Sequence, residues 1–313
     1  MVALTYSSFS RDLSPGGEVA GQHEKDFQPR HNSLICQFTN KIDMAFLLQA
    51  RERVQTLCTR SPTMIKERME SLARQTLPIS TRRRLTRLTR WPPIGWARLG
   101  SLRRLTPISP HWGSERGLPI DRYYIEQFIA ANALDIRGHG LEIKEDLYAS
   151  RFGGERIDKL DILHPEEGNP NATLVADLTL ADNLPSNSFD FIIATQTLHF
   201  IRDIRAAVVT LFRILKPEGV LLATVSGISK VSREDMDRWG HNAAFTSTSA
   251  ERLFHEFFPA ENVKVDARGN VLAAIACLHG LASEELRRQE LDYHDPDFQV
   301  LVTIRAVKPE LDL

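Results

Sequence analysis

Three carboxylates fall at or near the ends of successive apolar runs: Glu142 in Gly140-Leu141-Glu142-Ile143, Asp161 closing residues 156–161, and Asp177 closing residues 173–177. A carboxylate beyond the carboxyl end of a parallel strand can accept hydrogen bonds from a ribose diol or an exocyclic amine, and ligands of open α/β sheets bind there. Any one of these acids could equally be a helix cap or a turn residue. Three in successive strands, in one half of a sheet, point instead to a nucleoside site. Other reactive residues form no such pattern. Cys36, Cys58 and Cys277 lie far apart, without CxxC or Cys/His ligand spacing, which argues against a disulfide framework and against a structural metal site. His294-Asp295 looks like an oriented pair, but neighbours on an extended chain face opposite ways.

The elements that must position the acids are legible from about residue 115 onward. Short apolar runs alternate with helical ones, which is the pattern of a mainly parallel sheet covered on both faces. Asp121 is placed to cap a helix whose buried stripe is Ile125, Phe128, Ile129 and Ile136. Residues 189–195 are the clearest buried strand, and a helix with Ile204, Val208, Leu211 and Leu215 on one face follows it. Lys216-Pro217-Glu218-Gly219 should end that helix and launch a strand at Val220. Strands over 263–265 and 300–304, with an apolar helix near 271–281 between them, bring the expected total to about seven. The segment between Asp161 and Thr173 contains Gly168-Asn169-Pro170 and is too short for a crossover helix.

The composition is that of a soluble globular protein, with 42% hydrophobic and 25% charged residues. No apolar run approaches a membrane span, and the first residues lack a secretory pattern, so a cytoplasmic location is the expectation. The net charge of -1 hides a split: residues 1–110 hold 18 Lys and Arg against 8 Asp and Glu, and the remainder holds 21 against 32. This divides the chain into a basic extension, 1–110, and a domain, 111–313. In the extension, residues 1–32 are polar, and helices are expected over 41–59 and 63–77. No acidic residue occurs from Ser71 to Ser114, and Trp91, Trp96 and Trp112 are interleaved with the arginines of segment 74–104. Such a segment suits an anionic partner, either nucleic acid or a membrane surface, or else a solvated linker.

Several linked motifs add a family resemblance. Residues 184–192 (LPSNSFDFI), then Thr197-Leu198-His199-Phe200-Ile201, then residues 215–221 (LKPEGVL) resemble class I S-adenosylmethionine-dependent methyltransferases in content, order and spacing. Phe245-Thr246 and the amphipathic helix after it are similar to a segment that caps many such domains, so the resemblance covers roughly residues 115 to 308. It implies an α/β fold, a Rossmann-like seven-stranded mainly parallel sheet with helices on both faces, here with a basic, partly helical N-terminal extension. It also implies S-adenosylmethionine as cofactor. Glu142, Ile143 and Lys144 fall on the family's cofactor loop, where Lys144 stands in place of the first glycine. Asp161 takes the place of the acid that binds the ribose hydroxyls. Asp177, with Leu178 beside it, takes that of the acid receiving the adenine amino group, and Thr195 and Gln196 face the methionine part or the substrate.

Methyl transfer then needs an acceptor held in line with the methyl group, and a base if the acceptor is a hydroxyl. His199 is the candidate base, and Trp239 and His241 are candidates for binding the acceptor. The acceptor implied is a small molecule or a glycan. The alternatives are a methyltransferase-shaped interaction module without catalysis, and an RNA methyltransferase that uses the basic arm to hold phosphates.

Overall fold

A computed structural model describes residues 96–310, with four isolated positions before them (Ser71, Pro78, Thr81 and Pro92). The helices expected over 41–59 and 63–77 and most of the arginine-rich run lie outside the described residues. One compact unit spans Arg98–Leu313.

Its centre is a seven-stranded sheet of order β3-β2-β1-β4-β5-β7-β6. The strands are β1 (Gly138–Ile143), β2 (Ile157–His164), β3 (Leu174–Val175), β4 (Phe189–Thr195), β5 (Leu215–Ser226), β6 (Val263–Arg268) and β7 (Leu301–Val307). Strands β1 to β5 pair in parallel, while β7 runs antiparallel to both β5 and β6. The helices are α1 (Ile120–Ala131), α2 (Ala149–Gly153), α3 (Ile204–Ile214), α4 (Arg233–Arg238), α5 (Ser247–His255), α6 (Val271–His279) and α7 (Arg288–Asp292).

Strand β4 shows why its sequence is apolar apart from Asp190 and the terminal Thr195. Phe189, Ile192 and Ala194 enter the core on one face of the sheet, and Phe191 and Ile193 enter the core on the other. A strand buried on both sides has no polar face to display. Phe191 also explains a glycine. A Cβ on Gly140 of β1 would stand 1.9 Å from the Phe191 ring, so the ring lies directly on bare β1 backbone.

Two local expectations are corrected. Asp121 does not cap α1; Pro119 occupies the cap, and Asp121 sits in the first turn with a buried, unpartnered oxygen. Proline suits that boundary because it donates no N–H. The strand expected from Val220 begins earlier, at Leu215. Leu215 already pairs with Phe189, and Lys216–Gly219 loop out before Val220 resumes the register against Phe191. The outward loop is satisfied by the end of β7, since Glu218 N–H donates to the Lys308 carbonyl and Lys308 N–H donates to that of Gly219. No crossover helix joins β2 to β3, as the short glycine- and proline-containing link required.

Candidate functional site

The chain leaves β1 toward β2 and β3 on one side, and β4 continues toward β5 on the other. The order therefore reverses between β1 and β4, and ligands of open α/β sheets bind beyond the carboxyl ends of the strands at such a point. Glu142, the penultimate residue of β1, is 2% exposed there. Its carboxylate accepts backbone N–H groups from Leu147 (3.1 Å), Tyr148 (3.1 Å) and Ala149 (2.8 Å), and so supplies the start of the five-residue α2. Burial pushes Glu142 up to about 7, although those three donors pull the other way. The loop left outside by this arrangement, Lys144 to Leu147, is exposed.

Lys144 adopts φ 83°, a conformation that glycine takes freely and lysine takes with strain. Backbone bonds hold it so: its N–H donates to the Leu163 carbonyl (2.8 Å), and its carbonyl accepts from Asn169 Nδ2 (2.9 Å). The loop has thus kept the path of a glycine loop without its first glycine. Lys144→Gly is accordingly expected to leave the fold intact and to stabilise it by about 1 kcal/mol; a clearly lower melting temperature would show that the side chain, not the backbone, holds the turn.

Asp161 is not where its sequence context places it. Strand β2 runs on through Ile162 and Leu163 to His164, so Asp161 lies mid-strand opposite Leu141. Its two oxygens receive His139 Nε2 (2.7 Å), Lys159 Nζ (2.8 Å) and Thr173 Oγ1 (2.9 Å). Burial raises its pKa, but these bonds outweigh burial and hold the carboxyl below the usual range. Strand β2 ends at His164, and Glu166 follows two residues on. Arg238 of α4 reaches across to Glu166 (3.2 Å), and the neighbouring Trp239 meets the His164 ring edge-on at 6.2 Å. The sequence signal missed here is the apolar pair Ile162-Leu163, which prolongs the strand past the acid.

Asp177 follows β3 and is exposed. Among the described residues only its Oδ1 is engaged, by the N–H and hydroxyl of Thr179 (both 2.8 Å), while Leu178 beside it is buried. Thr195 ends β4. Gln196, at φ 50°, turns away: its N–H donates to the Thr224 carbonyl, and its Oε1 accepts from Ser226 Oγ (2.8 Å). His199 and His241 come together with ring centroids 5.1 Å apart, and Phe200 lies against both. His199 is 3% exposed. The Nδ1 atoms of both rings are buried without a hydrogen-bond partner among the described residues. Burial, then the neighbouring His241, lowers His199 to about 3, so it is neutral at ordinary pH. Asn242 N–H donates to the His199 carbonyl (2.8 Å) and clips the two segments together. No group of three possible metal ligands converges among the described residues.

Residues 147–223, from the end of the β1 loop into β5, match the family model described as a methyltransferase domain. These residues resemble a methyltransferase domain. Solved structures similar to it include the YcgJ protein of Bacillus subtilis (12% identity, TM-score 0.38), over 60% of this chain and 100% of that one. Another is phosphoethanolamine N-methyltransferase 2 of Haemonchus contortus, in complex with phosphomonomethylethanolamine and S-adenosylhomocysteine. There the identity is 14% and the TM-score 0.38, over 61% of this chain and 58% of that one. A third is the N-methyltransferase NodS of Bradyrhizobium japonicum (15%, TM-score 0.35), over 61% of this chain and 99% of that one. No curated protein sequence matches the chain. The domain has its sheet in the order given above, with Glu142 near the end of β1, Asp177 after β3, and Thr195 at the end of β4. No helix among the described residues is long and apolar enough to cross a membrane.

Proposed function

We propose that this domain transfers a methyl group from S-adenosylmethionine to a hydroxyl of a small molecule or glycan. The observation that carries the reading is the family match, because residues 147–223 include the β3 acid, the end of β4 and the turn that holds His199. The residues at these strand ends suit the cofactor in charge and in donor type. Asp177 keeps one carboxylate oxygen free for an adenine amino group. Exposed Glu145 and Asp146 on the β1 loop offset Lys144 beside a cationic ligand. Glu142 and the backbone of Ile143 and Lys144 set the floor of the loop. Asp161, bound on both oxygens, acts through the packing of β1 and β2, and His164 and Glu166, at and just past the end of β2, would hold the ribose hydroxyls. The cofactor supplies an electrophilic methyl group on a sulfonium, and everything else is positioning by the chain.

The acceptor would bind beside the paired His199 and His241, with Trp239, Thr195 and Gln196 as further candidates to contact it. Two imidazoles with unpartnered Nδ1 atoms can hold a hydroxyl by accepting from it or donating to it, and an aromatic face suits a sugar ring. At its lowered pKa His199 orients the nucleophile more than it removes the proton, which passes on to solvent as the new bond forms.

Calorimetric titration with S-adenosylmethionine and S-adenosylhomocysteine tests the reading. Wild type should bind both. Asp177→Ala should lose about tenfold to a hundredfold in affinity, the worth of a hydrogen bond to a charged group, without a change in melting temperature. Asp161→Ala should instead lower the melting temperature. Absence of heat with wild type would leave only a methyltransferase-shaped interaction module. His199→Ala should bind cofactor normally and lose turnover once an acceptor is in hand.

A further inference from the structure

Helix α6 is built inside out. Its buried positions are small: Ala273, Ala274, Ala276 and Cys277. Its large aliphatic residues, Val271, Leu272, Ile275 and Leu278, face outward and are 38–48% exposed. With 100° per residue these four fall within one arc of about a third of the helix. An ordinary surface helix places charge there; this one has none between Val271 and Leu278. A contiguous aliphatic face on a soluble domain marks an interaction site.

The chemistry next to that face narrows the partner. The chain enters the domain at the C-terminal end of α6, where the Ile108 and Ser109 N–H groups both donate to the His279 carbonyl (2.9 and 3.0 Å). Leu105, fully exposed, is three residues from this anchor and so within about 10 Å of the helix end. Arg98, Leu99, Arg103 and Arg104 precede it, and Leu99 is 55% exposed. At the same corner Lys230 Nζ stands 3.7 Å over the Trp112 ring. Every charged residue from 96 to 114 other than histidine is an arginine.

We propose that α6 and residues 98–105 form a docking surface for an anionic membrane. The aliphatic side chains enter the headgroup boundary, and the arginines pair with lipid phosphates. Apolar burial and electrostatic attraction together give stable attachment where either alone is weak. A second copy would set this cationic segment against nothing of opposite sign in its own counterpart. A nucleic acid would find aliphatic groups where bases need aromatic ones. This inference stands apart from the methyl acceptor and does not depend on it, although a membrane-docked enzyme would meet lipid-carried acceptors in preference to free ones.

The test is co-sedimentation of the full chain with phosphatidylcholine vesicles, with and without phosphatidylglycerol. Wild type should pellet with the anionic vesicles and not with the neutral ones. Leu272→Ser/Ile275→Ser/Leu278→Ser should bind at least about tenfold more weakly, and Arg98→Gln/Arg103→Gln/Arg104→Gln should bind more weakly with a flatter salt dependence. The changed side chains point outward, so circular dichroism and melting should match wild type. If the triple serine variant is unfolded, the single Ile275→Asn variant provides the same comparison. Wild type that fails to bind anionic vesicles overturns the proposal. So does a folded serine variant that binds as well as wild type, since the basic extension alone would then explain attachment. A dimer that the serine changes dissociate while vesicle binding persists, or binding to RNA but not to vesicles, overturns it as well.

Discussion

Glu142→Ala is expected to cost the domain about 3 kcal/mol or more, because the N–H groups of Leu147, Tyr148 and Ala149 lose their shared acceptor at a buried site. The loop would lose its anchor at the same time, so cofactor affinity should fall with stability. Glu142→Gln keeps an acceptor oxygen and should cost less. It also isolates a pH effect. The folded carboxyl sits at about 7 against an ordinary value of 4.5. A raised pKa means that the native state holds a proton which the unfolded chain has released. The associated stability is fully present below pH 4.5 and is lost as pH rises through 7. Over that window the group contributes about 3 kcal/mol, from 1.36 kcal/mol per unit. Wild type should therefore melt higher at pH 5 than at pH 8, and the slope should flatten in Glu142→Gln. Equal slopes in the two proteins would show that Glu142 does not carry the effect.

Gly140→Ala should be nearly as damaging, although it adds one methyl group to a strand. The new Cβ would lie 1.9 Å from Phe191 Cζ, far inside contact distance, and Phe191 is fully buried with no room to retreat. Overpacking of this severity costs about 3 kcal/mol or more, which for a domain of this size lowers Tm by roughly 10 °C. The double variant Gly140→Ala/Phe191→Leu should recover part of the loss, because the smaller side chain vacates the space. Thermal melting of wild type, Gly140→Ala, Phe191→Leu and the double variant decides it; a double variant no better than the sum of its parts would place the strain elsewhere.

Much of the architecture is local and was legible without coordinates. Apolar runs of strand length, alternating with helical periods, specify the seven strands, since each must be covered on both faces to leave water. Lys216-Pro217-Glu218-Gly219 announces a break between helix and strand for backbone reasons alone. The linked motifs around Phe189, His199 and Leu215 carry the family resemblance. What local signals cannot give is how far a strand runs once it has partners. Asp161 reads as a strand end, yet pairing with β1 carries β2 on to His164, and an acid expected at the ligand becomes a clasp for His139, Lys159 and Thr173. The start of β5 lies earlier than Val220 for the same reason, because the loop of Lys216–Gly219 finds its backbone partners at Lys308.

The candidate site divides in the same way. The residue types at Glu142, Asp177, His199 and His241 were visible in the sequence. Their relations were not: Glu142 turns to the N–H groups of its own loop, and two histidines far apart in the chain share one buried contact. Which chemical groups this domain possesses, and the order of its strands and helices, follow from the chain alone. Which of those groups are already bound to protein depends on the assembled sheet, because hydrogen-bond partners and burial come from segments that meet only after it has formed.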